Sequence, residues 1–457
     1  MATTYTNRET TNDGTRVHAS ARRGHIGWVV AGSLTSGLLA ALLLAAAPFV
    51  PPQEATITGA VLCGFALGWT MLAVLSVRTT DQPQSWAAVP AVVMGLGGFL
   101  LLVLGSSVDP VLSWVWPPVA LTLVVWMVVQ ARRHLRSRSR RWLLYPVIAM
   151  LAMAALGGMY ETLGAATDPS TARSGRSIDV GGRSLHLECT GTGSPTVLLQ
   201  PGGGAMSAHM AWIAPRVAAS TRVCVYDRPG RGGSDPVQTA QDATQIAVDL
   251  HALLEQANVP GPYVLAGHSF GGLYALTYAA RYPDQIAGLV IIDTTAPRDE
   301  PLAGGPDRPK RYDLVDRVAT LISTSARLGL TRLYATTEGA GLPPRSASDV
   351  RATTATGSNF RSFIDEFAQA TSSMAEASSF TDFGARPLIV LTAGTGTDAA
   401  LTASHERIAQ MSSNSAHRTI ADATHDDLIA DQHDSTATSQ AILDVITAIR
   451  NATTVPE

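Results

Sequence analysis

Five long apolar runs in the first third of the chain set the strongest limit on its fold. Each approaches the roughly 20 residues that a helix needs to cross a bilayer core of about 30 Å. Inside lipid a helix can pair all its backbone polar groups, so such runs predict membrane-spanning helices. Five in succession argue against the alternative of buried helices in a soluble protein. The runs cover about residues 26–50, 57–77, 86–105, 111–130 and 142–163.

Arginine positions predict how these helices are oriented. The polar tail at residues 1–24 and the loop Ala131–Arg141 are both rich in arginine, whereas the short loops near Glu54 and Asp109 contain no Lys or Arg. Short basic loops remain in the cytoplasm. We therefore expect a multi-pass protein of the cell membrane, with a cytoplasmic N-terminus and everything after about Glu161 outside the cytoplasm. A signal peptide is the alternative for the first run, although Pro48 disfavours cleavage there.

Charge and composition give no support for a nucleic-acid partner and suggest a division into domains. The net charge is −3, and the basic loop has no aromatic residues between its arginines, so nucleic acid is not an expected partner. The expected division is a tail at 1–24, a five-span all-α transmembrane domain at 25–163 and a linker at 164–176. A separate domain follows at 177–457.

Strand and helix patterns alternate through this second half. Ser177–Cys189 alternates around a Gly-Gly turn, which is typical of a hairpin. Further strands are expected at 196–199, 222–226, 263–266, 288–292 and 387–391, with a last one near 417–420. Apolar residues at helical spacing lie between several of them. This order predicts an α/β fold with a mainly parallel sheet and helices on both faces.

A Gly-x-Ser-x-Gly turn, Gly267–Gly271, lies between the predicted strand ending at Ala266 and an apolar helix starting at Leu273. The motif alone is weak evidence because Gly and Ser are common. Between a strand and a helix, however, such a turn holds the serine hydroxyl outward at a tight corner. Negative charge that develops there is favoured by the helix N-terminus. Ser269 is therefore the candidate nucleophile.

With Gln200–Gly204 and Tyr226–Gly230 in the expected order before this turn, the chain from about Ile178 to Arg450 resembles the α/β-hydrolase superfamily. The resemblance implies a serine nucleophile but no particular substrate, and its chemistry requires no metal or cofactor. A segment at about 299–384, too long for an ordinary connection, resembles the lid of such enzymes.

The resemblance also implies partners for Ser269. His425 lies in the loop after the last strand, where the family places its general base, although Thr424 stands where relatives usually have glycine. For the acid, the topology favours Asp398, after the penultimate strand, while Asp293 remains the alternative. Backbone N–H groups of Gly203 and Phe270 are expected to form the oxyanion hole.

Two functions of different classes are compatible with these features. The first is a membrane-anchored serine hydrolase acting on a small-molecule or lipid-like ester, thioester or amide, with no cofactor and no metal. The alternative is a multi-span receptor or scaffold whose hydrolase-like domain only binds. The retained Ser269 and His425 favour the enzyme.

The resembled fold also brings two cysteines together. It places its second strand antiparallel beside its fourth, so Cys189 and Cys224 are expected to face each other and form a disulfide in the exported half. The alternative is a pair of small buried apolar side chains. Cys63 lies in the second apolar run.

The arginine pattern makes a testable prediction about topology. A reporter that works only outside the cytoplasm is expected to be active when fused after Glu457 and inactive when inserted in the 132–141 loop. Neutral substitutions of the loop arginines are expected to weaken this orientation. An inactive fusion at Glu457 would contradict the assignment.

Overall fold

The structure, a computed structural model, describes residues 26–135, 142–168, 174–237, 239–297 and 314–457. The tail at 1–24, most of the basic loop and part of the expected linker lie outside the described residues, as does the start of the expected lid. Five apolar helices lie within residues 26–168, and all are long and apolar enough to cross a membrane when the 3₁₀ turns that flank the third are included. They are α1 (Ile26–Ala46), α2 (Glu54–Thr79), α3 (Ala88–Leu104), α4 (Asp109–His134) and α5 (Tyr145–Thr167).

A cluster of three tryptophans packs between helices of this bundle. Trp69 of α2 and Trp86, just before α3, are buried, with ring centroids 6.1 Å apart. Trp126 of α4 meets the edge of Trp86 at 6.0 Å. Aromatic pairs at such distances add to the packing energy of the surface they bury. The cluster therefore links α2, α3 and α4.

An eight-stranded sheet forms the core of the second half, in the order β1-β2-β4-β3-β5-β6-β7-β8. The first two pairings, β1 with β2 and β2 with β4, are antiparallel, and all the others are parallel. The strands are β1 (Arg176–Asp179), β2 (Ser184–Thr190), β3 (Thr196–Gln200), β4 (Val223–Tyr226), β5 (Tyr263–His268), β6 (Ile286–Ile292), β7 (Leu388–Ala393) and β8 (Ser415–Ile420).

Helices cover both faces of this sheet because its central strands are apolar on both sides. Leu198 and Leu265 point to one face, which packs against α7 and α8, while Val197 and Val264 point to the other, which packs against α6 and α16. Such two-sided burial is typical of parallel sheets. The predicted fold class is confirmed. These helices are α6 (Ala214–Ala218), α7 (Ala243–Gln256), α8 (Phe270–Arg281) and, at the end of the chain, α16 (Ser435–Asn451).

Among the described residues between β6 and β7, in the segment expected to form a lid, there are five further helices. A 3₁₀ turn at Thr324–Leu328 separates the first two. They are α9 (Leu314–Ser323), α10 (Leu330–Ala335), α11 (Pro344–Thr354), α12 (Gly357–Ala368) and α13 (Ala370–Ala377). Two more, α14 (Ala399–Ala409) and α15 (Asp427–Ala430), lie between β7 and α16.

The antiparallel edge of the sheet carries the disulfide. Cys189 of β2 is the register partner of Cys224 of β4. Their Cα atoms are 4.1 Å apart and the two sulfurs are bonded. The two cysteines lie 35 residues apart in the chain. The position of β2 beside β4 brings them together.

Removing this bond is expected to destabilise the protein. Replacing Cys189 and Cys224 by serine is expected to lower the free energy of unfolding by about 3–4 kcal/mol, because the unfolded chain regains the entropy of an open loop. Urea denaturation of the full chain in nanodiscs measures this difference. Thiol titration of the denatured chain without reductant is the control. It is expected to find only Cys63, and titration of all three cysteines would contradict the bond.

Candidate active site

Ser269 lies at the corner between β5 and α8. Its backbone adopts φ 54° and ψ −124°, a left-handed region that L-residues rarely occupy. Hydrogen bonds hold this conformation, because the Ser269 amide donates to the Ile292 carbonyl and the Thr294 hydroxyl donates to the Ser269 carbonyl. A β-carbon at Gly267 would collide with the Gly271 carbonyl, so the corner requires glycine there. Backbone strain of this kind is concentrated at functional sites.

His425, in the loop after β8, is hydrogen-bonded to a buried carboxylate. Its Nδ1 lies 2.6 Å from Oδ2 of Asp293, and the other oxygen of Asp293 accepts from the Ala393 amide at 3.0 Å. A carboxylate only accepts, so Nδ1 of His425 carries the hydrogen and Nε2 keeps its lone pair. Burial acts to raise the pKa of Asp293, but these hydrogen bonds outweigh it and the pKa is lowered.

The structure pairs His425 with Asp293, whereas the topology favoured Asp398 as its partner. Asp398 is the N-cap of α14, where its Oδ1 accepts from the Leu401 amide at 2.8 Å. Its carboxylate therefore satisfies a helix terminus and makes no contact with His425 among the described residues. Asp293 directly follows β6, which lies beside β7 in the sheet, and so reaches the histidine loop. The sequence signal was present, since an aspartate directly before a helix is a typical N-cap.

The glycine loop after β3 borders the same cavity as Ser269. The amides of Gly203 and Phe270, the two expected oxyanion donors, have no acceptor among the residues that the structure describes, and Phe270 is the first residue of α8. Free backbone amides, here one in a loop and one at a helix N-terminus, can donate to a developing negative charge. The cavity of about 730 Å³ is bordered by Gly203, Ser269, His425 and residues of the lid.

A buried ion triad lies behind this loop and was missed by sequence reasoning. Glu366 of α12 pairs with Arg228 at 2.7 Å and with Arg231 at 3.1 Å, and all three side chains are almost fully buried. Glu366 also accepts from the Gly204 amide at 2.8 Å. The two arginines donate to the carbonyls of Pro201, Gly202 and Gly204. The triad therefore fixes the glycine loop to the lid.

The charge of Glu366 depends on its partners. Burial alone would raise the pKa of this carboxyl group, but the charges of Arg228 and Arg231 outweigh it and lower the pKa to about 2. Nothing in the local pattern of the turn that carries both arginines points to a glutamate more than 130 residues later in the chain.

A second histidine lies beside His425. The rings of His268 and His425 are 4.4 Å apart, and burial lowers the pKa of His268 to about 3, so this ring is neutral. Ligand atoms of His268, His425 and Asp426 lie within 4.8 Å of one another. However, Nε2 of His268 donates to the His425 carbonyl and Nδ1 of His425 donates to Asp293. A metal ion would have to compete with these hydrogen bonds.

Comparison with known proteins agrees with the fold. Residues 196–439 match the sequence model of the Alpha/beta hydrolase family. An uncharacterized protein of Schizosaccharomyces pombe is 34% identical over 139 residues, which are 24% of this chain and 26% of that protein. A 2-(acetamidomethylene)succinate hydrolase of Mesorhizobium japonicum is 32% identical over 120 residues, 26% of this chain and 42% of the hydrolase. The chain thus spans less than half the length of these curated relatives.

Among solved structures, an epoxide hydrolase without ligand aligns with 60% of this chain and 99% of its own, at 18% identity and a TM-score of 0.48.

The ion triad gives a testable prediction. Glu366→Gln is expected to lower the free energy of unfolding by about 3–5 kcal/mol at neutral pH, because it leaves two buried guanidinium groups without a charged partner. Since the folded-state pKa is depressed, this contribution is complete above the unfolded pKa of about 4.3. It is lost as the pH falls towards about 2. The difference between the two proteins is therefore expected to shrink below about pH 4.

Urea denaturation of the full chain in nanodiscs at several pH values measures this difference. The matched control is Glu406→Gln, because Glu406 is exposed on α14. Equal stability of the Glu366→Gln variant and the control at neutral pH would contradict the prediction.

Proposed function

This chain belongs to the alpha/beta hydrolase family, and we propose that it is a membrane-anchored serine hydrolase that cleaves an ester, thioester or amide. The 2.6 Å contact between His425 and the buried Asp293 is the observation that supports this most directly. It leaves Nε2 of the histidine free to accept a proton, and His425 and Ser269 border one cavity. A base orientated by a carboxylate and a partly exposed serine in one cavity are the groups that nucleophilic acyl transfer needs.

In the first step, Oγ of Ser269 attacks the carbonyl carbon of the substrate and its proton passes to Nε2 of His425. The carbonyl oxygen becomes negative in the tetrahedral intermediate, where the amides of Gly203 and Phe270 donate to it. When the intermediate collapses, the bond to the leaving group breaks and the leaving group takes the proton from His425. The products of this step are the acyl-enzyme and a free alcohol, thiol or amine.

In the second step, water replaces the leaving group. His425 takes a proton from the water while its oxygen attacks the acyl carbon. Collapse of the second tetrahedral intermediate returns the proton to Oγ of Ser269 and releases the carboxylic acid. Asp293 stays ionised throughout, consistent with its lowered pKa, and stabilises the imidazolium form of His425.

The proposal also covers how the chain is divided and placed. The tail at 1–24 lies in the cytoplasm, the five spans at 25–163 cross the cell membrane, and a linker at 164–176 leads to the hydrolase domain at 177–457. This domain, with its lid at about 299–384, lies outside the cytoplasm. The basic tail and loop support this orientation through the positive-inside rule.

Substitution of the proposed triad tests the function. Ser269→Ala is expected to abolish labelling by a fluorophosphonate probe and, like His425→Ala, to lower hydrolysis of an activated ester by several orders of magnitude. Asp293→Asn is expected to lower kcat by about 10³–10⁴-fold, because the histidine is then held in the wrong tautomer. The matched control is Asp398→Asn, which is expected to be nearly neutral, since asparagine caps a helix as well as aspartate does.

Two outcomes would count against this assignment. A severe loss in Asp398→Asn with a mild loss in Asp293→Asn would transfer the acid role to Asp398. A full chain that neither reacts with the probe nor hydrolyses any activated ester would instead support the receptor or scaffold alternative.

A further inference from the structure

The exposed apolar side chains of the second half are confined to one surface. Among the described residues after 174, every large hydrophobic side chain that is exposed lies in the lid, between Val318 and Phe367. Leu330 and Leu333 are 52% and 57% exposed. Concentrated apolar exposure of this kind marks an interaction surface. We name six of these residues the lid ridge: Val318, Leu321, Ile322, Leu328, Leu330 and Leu333.

The lid ridge adjoins α5 at a level before the end of the expected span. A β-carbon at Gly157 of α5 would collide with the carbonyl oxygen of Leu328, so only glycine permits this approach. A β-carbon at Gly329 would lie 2.8 Å from the Gly157 carbonyl oxygen. Gly157 precedes Leu163, the end of the expected span, by about 9 Å along the axis, at about 1.5 Å per residue. Leu328 and Gly329 therefore lie level with residues of the expected span and not beyond its end.

Polar contacts on either side hold the lid at this depth. On one side Arg332 of α10 pairs with Glu161 and Asp168, at the end of α5, each at 2.9 Å. On the other side Arg317 of α9 donates to the carbonyl of Ala45, at the end of α1, at 3.2 Å and to that of Val50, between α1 and α2, at 2.7 Å. Both sets of contacts involve the ends of spans that face the hydrolase half. The lid is thus attached to the bundle at two points.

A row of aromatic rings runs from the lid ridge to the candidate nucleophile. Tyr334 follows Leu333 directly, and Phe270 follows Ser269 directly. Successive ring centroids along the row are 6.4, 6.2, 4.6 and 5.1 Å apart. Four of the five rings border the cavity, and only Phe270 does not. In order from the ridge, the row is Tyr334, Phe360, Phe363, Phe367 and Phe270.

We propose that the lid ridge is embedded in the adjacent bilayer leaflet and that the aromatic row receives the acyl chain of a membrane-resident substrate. The substrate class is then a long-chain acyl ester, thioester or amide that enters from the leaflet. The ridge is continuous with the apolar surface of the spans, which favours lipid as its occupant over a second copy of the chain. This inference rests on the proposed hydrolase function.

Depth measurement tests the position of the ridge. A nitroxide label at Leu330→Cys, in a Cys63→Ala background of the full chain in nanodiscs, is expected to collide more with oxygen than with a water-soluble nickel chelate. The matched control is Thr447→Cys on α16, exposed and distant from the lid, where the reverse is expected. Leu333→Cys serves as a second ridge site if the first variant does not fold.

Two results would overturn the proposed position of the lid ridge in the bilayer. One is equal access of the nickel chelate at the ridge sites and at the control. The other is spin–spin broadening confined to the ridge sites, which would show that a second copy covers the surface.

Chain-length preference tests the substrate class. In nanodiscs, kcat/KM for 4-nitrophenyl palmitate is expected to exceed that for 4-nitrophenyl acetate by about tenfold or more, because burial of a long chain against the aromatic row is favourable. Phe360→Ala is expected to bring this ratio towards one. The control is Arg345→Ser, an exposed lid residue of α11 that does not border the cavity and is expected to keep the ratio.

The outcomes separate this inference from the proposed function. If the protein is labelled by the fluorophosphonate and hydrolyses 4-nitrophenyl acetate, but does not prefer the palmitate ester, only the inference about the substrate class is overturned. Absence of labelling and of hydrolysis with either ester would overturn the function on which it rests.

Discussion

The buried carboxylate of Glu366 is the interaction on which the arrangement of the site depends. A charged group loses several kcal/mol of hydration on burial, and this loss is offset only by close partners of opposite charge and further hydrogen bonds. Glu366 has both, in Arg228, Arg231 and the Gly204 amide. Because the arginines also donate to three carbonyls of the glycine loop, the lid, the turn after β4 and the loop after β3 form one unit. The amide of Gly203 is held within that unit.

Local patterns in the sequence were sufficient to predict the architecture. The five apolar runs correspond to five helices whose ends differ from the expected bounds by only a few residues. They could be predicted because length and hydropathy decide whether a segment can span a bilayer. The strand expected at Tyr263–Ala266 continues to His268, and the corner at Ser269 follows directly. Strand, turn and helix are each determined by neighbouring residues, so they can be read from a short stretch of chain.

Contacts between distant parts of the chain could not be predicted in this way. Asp293 and Asp398 both follow a strand of the parallel sheet, and only the path of the histidine loop decides which carboxylate His425 meets. Glu366 resembles any polar residue on an amphipathic helix until the arginines of a different element are placed beside it. The approach of Leu328 to Gly157 likewise joins the lid to a span far away in sequence. Each of these contacts is a property of the assembled structure.

The two attachments of the lid, through Arg317 and Arg332, change what the five helices do for the protein. A lid joined only to its own domain is free to swing as a flap, whereas this one shares polar contacts with the ends of α1, α2 and α5. The bundle therefore supports the lid, which forms one wall of the cavity. One helix would suffice to tether a domain to a membrane, but a surface formed by several helices is needed to support a wall. A soluble hydrolase half cut at the linker would lose that support.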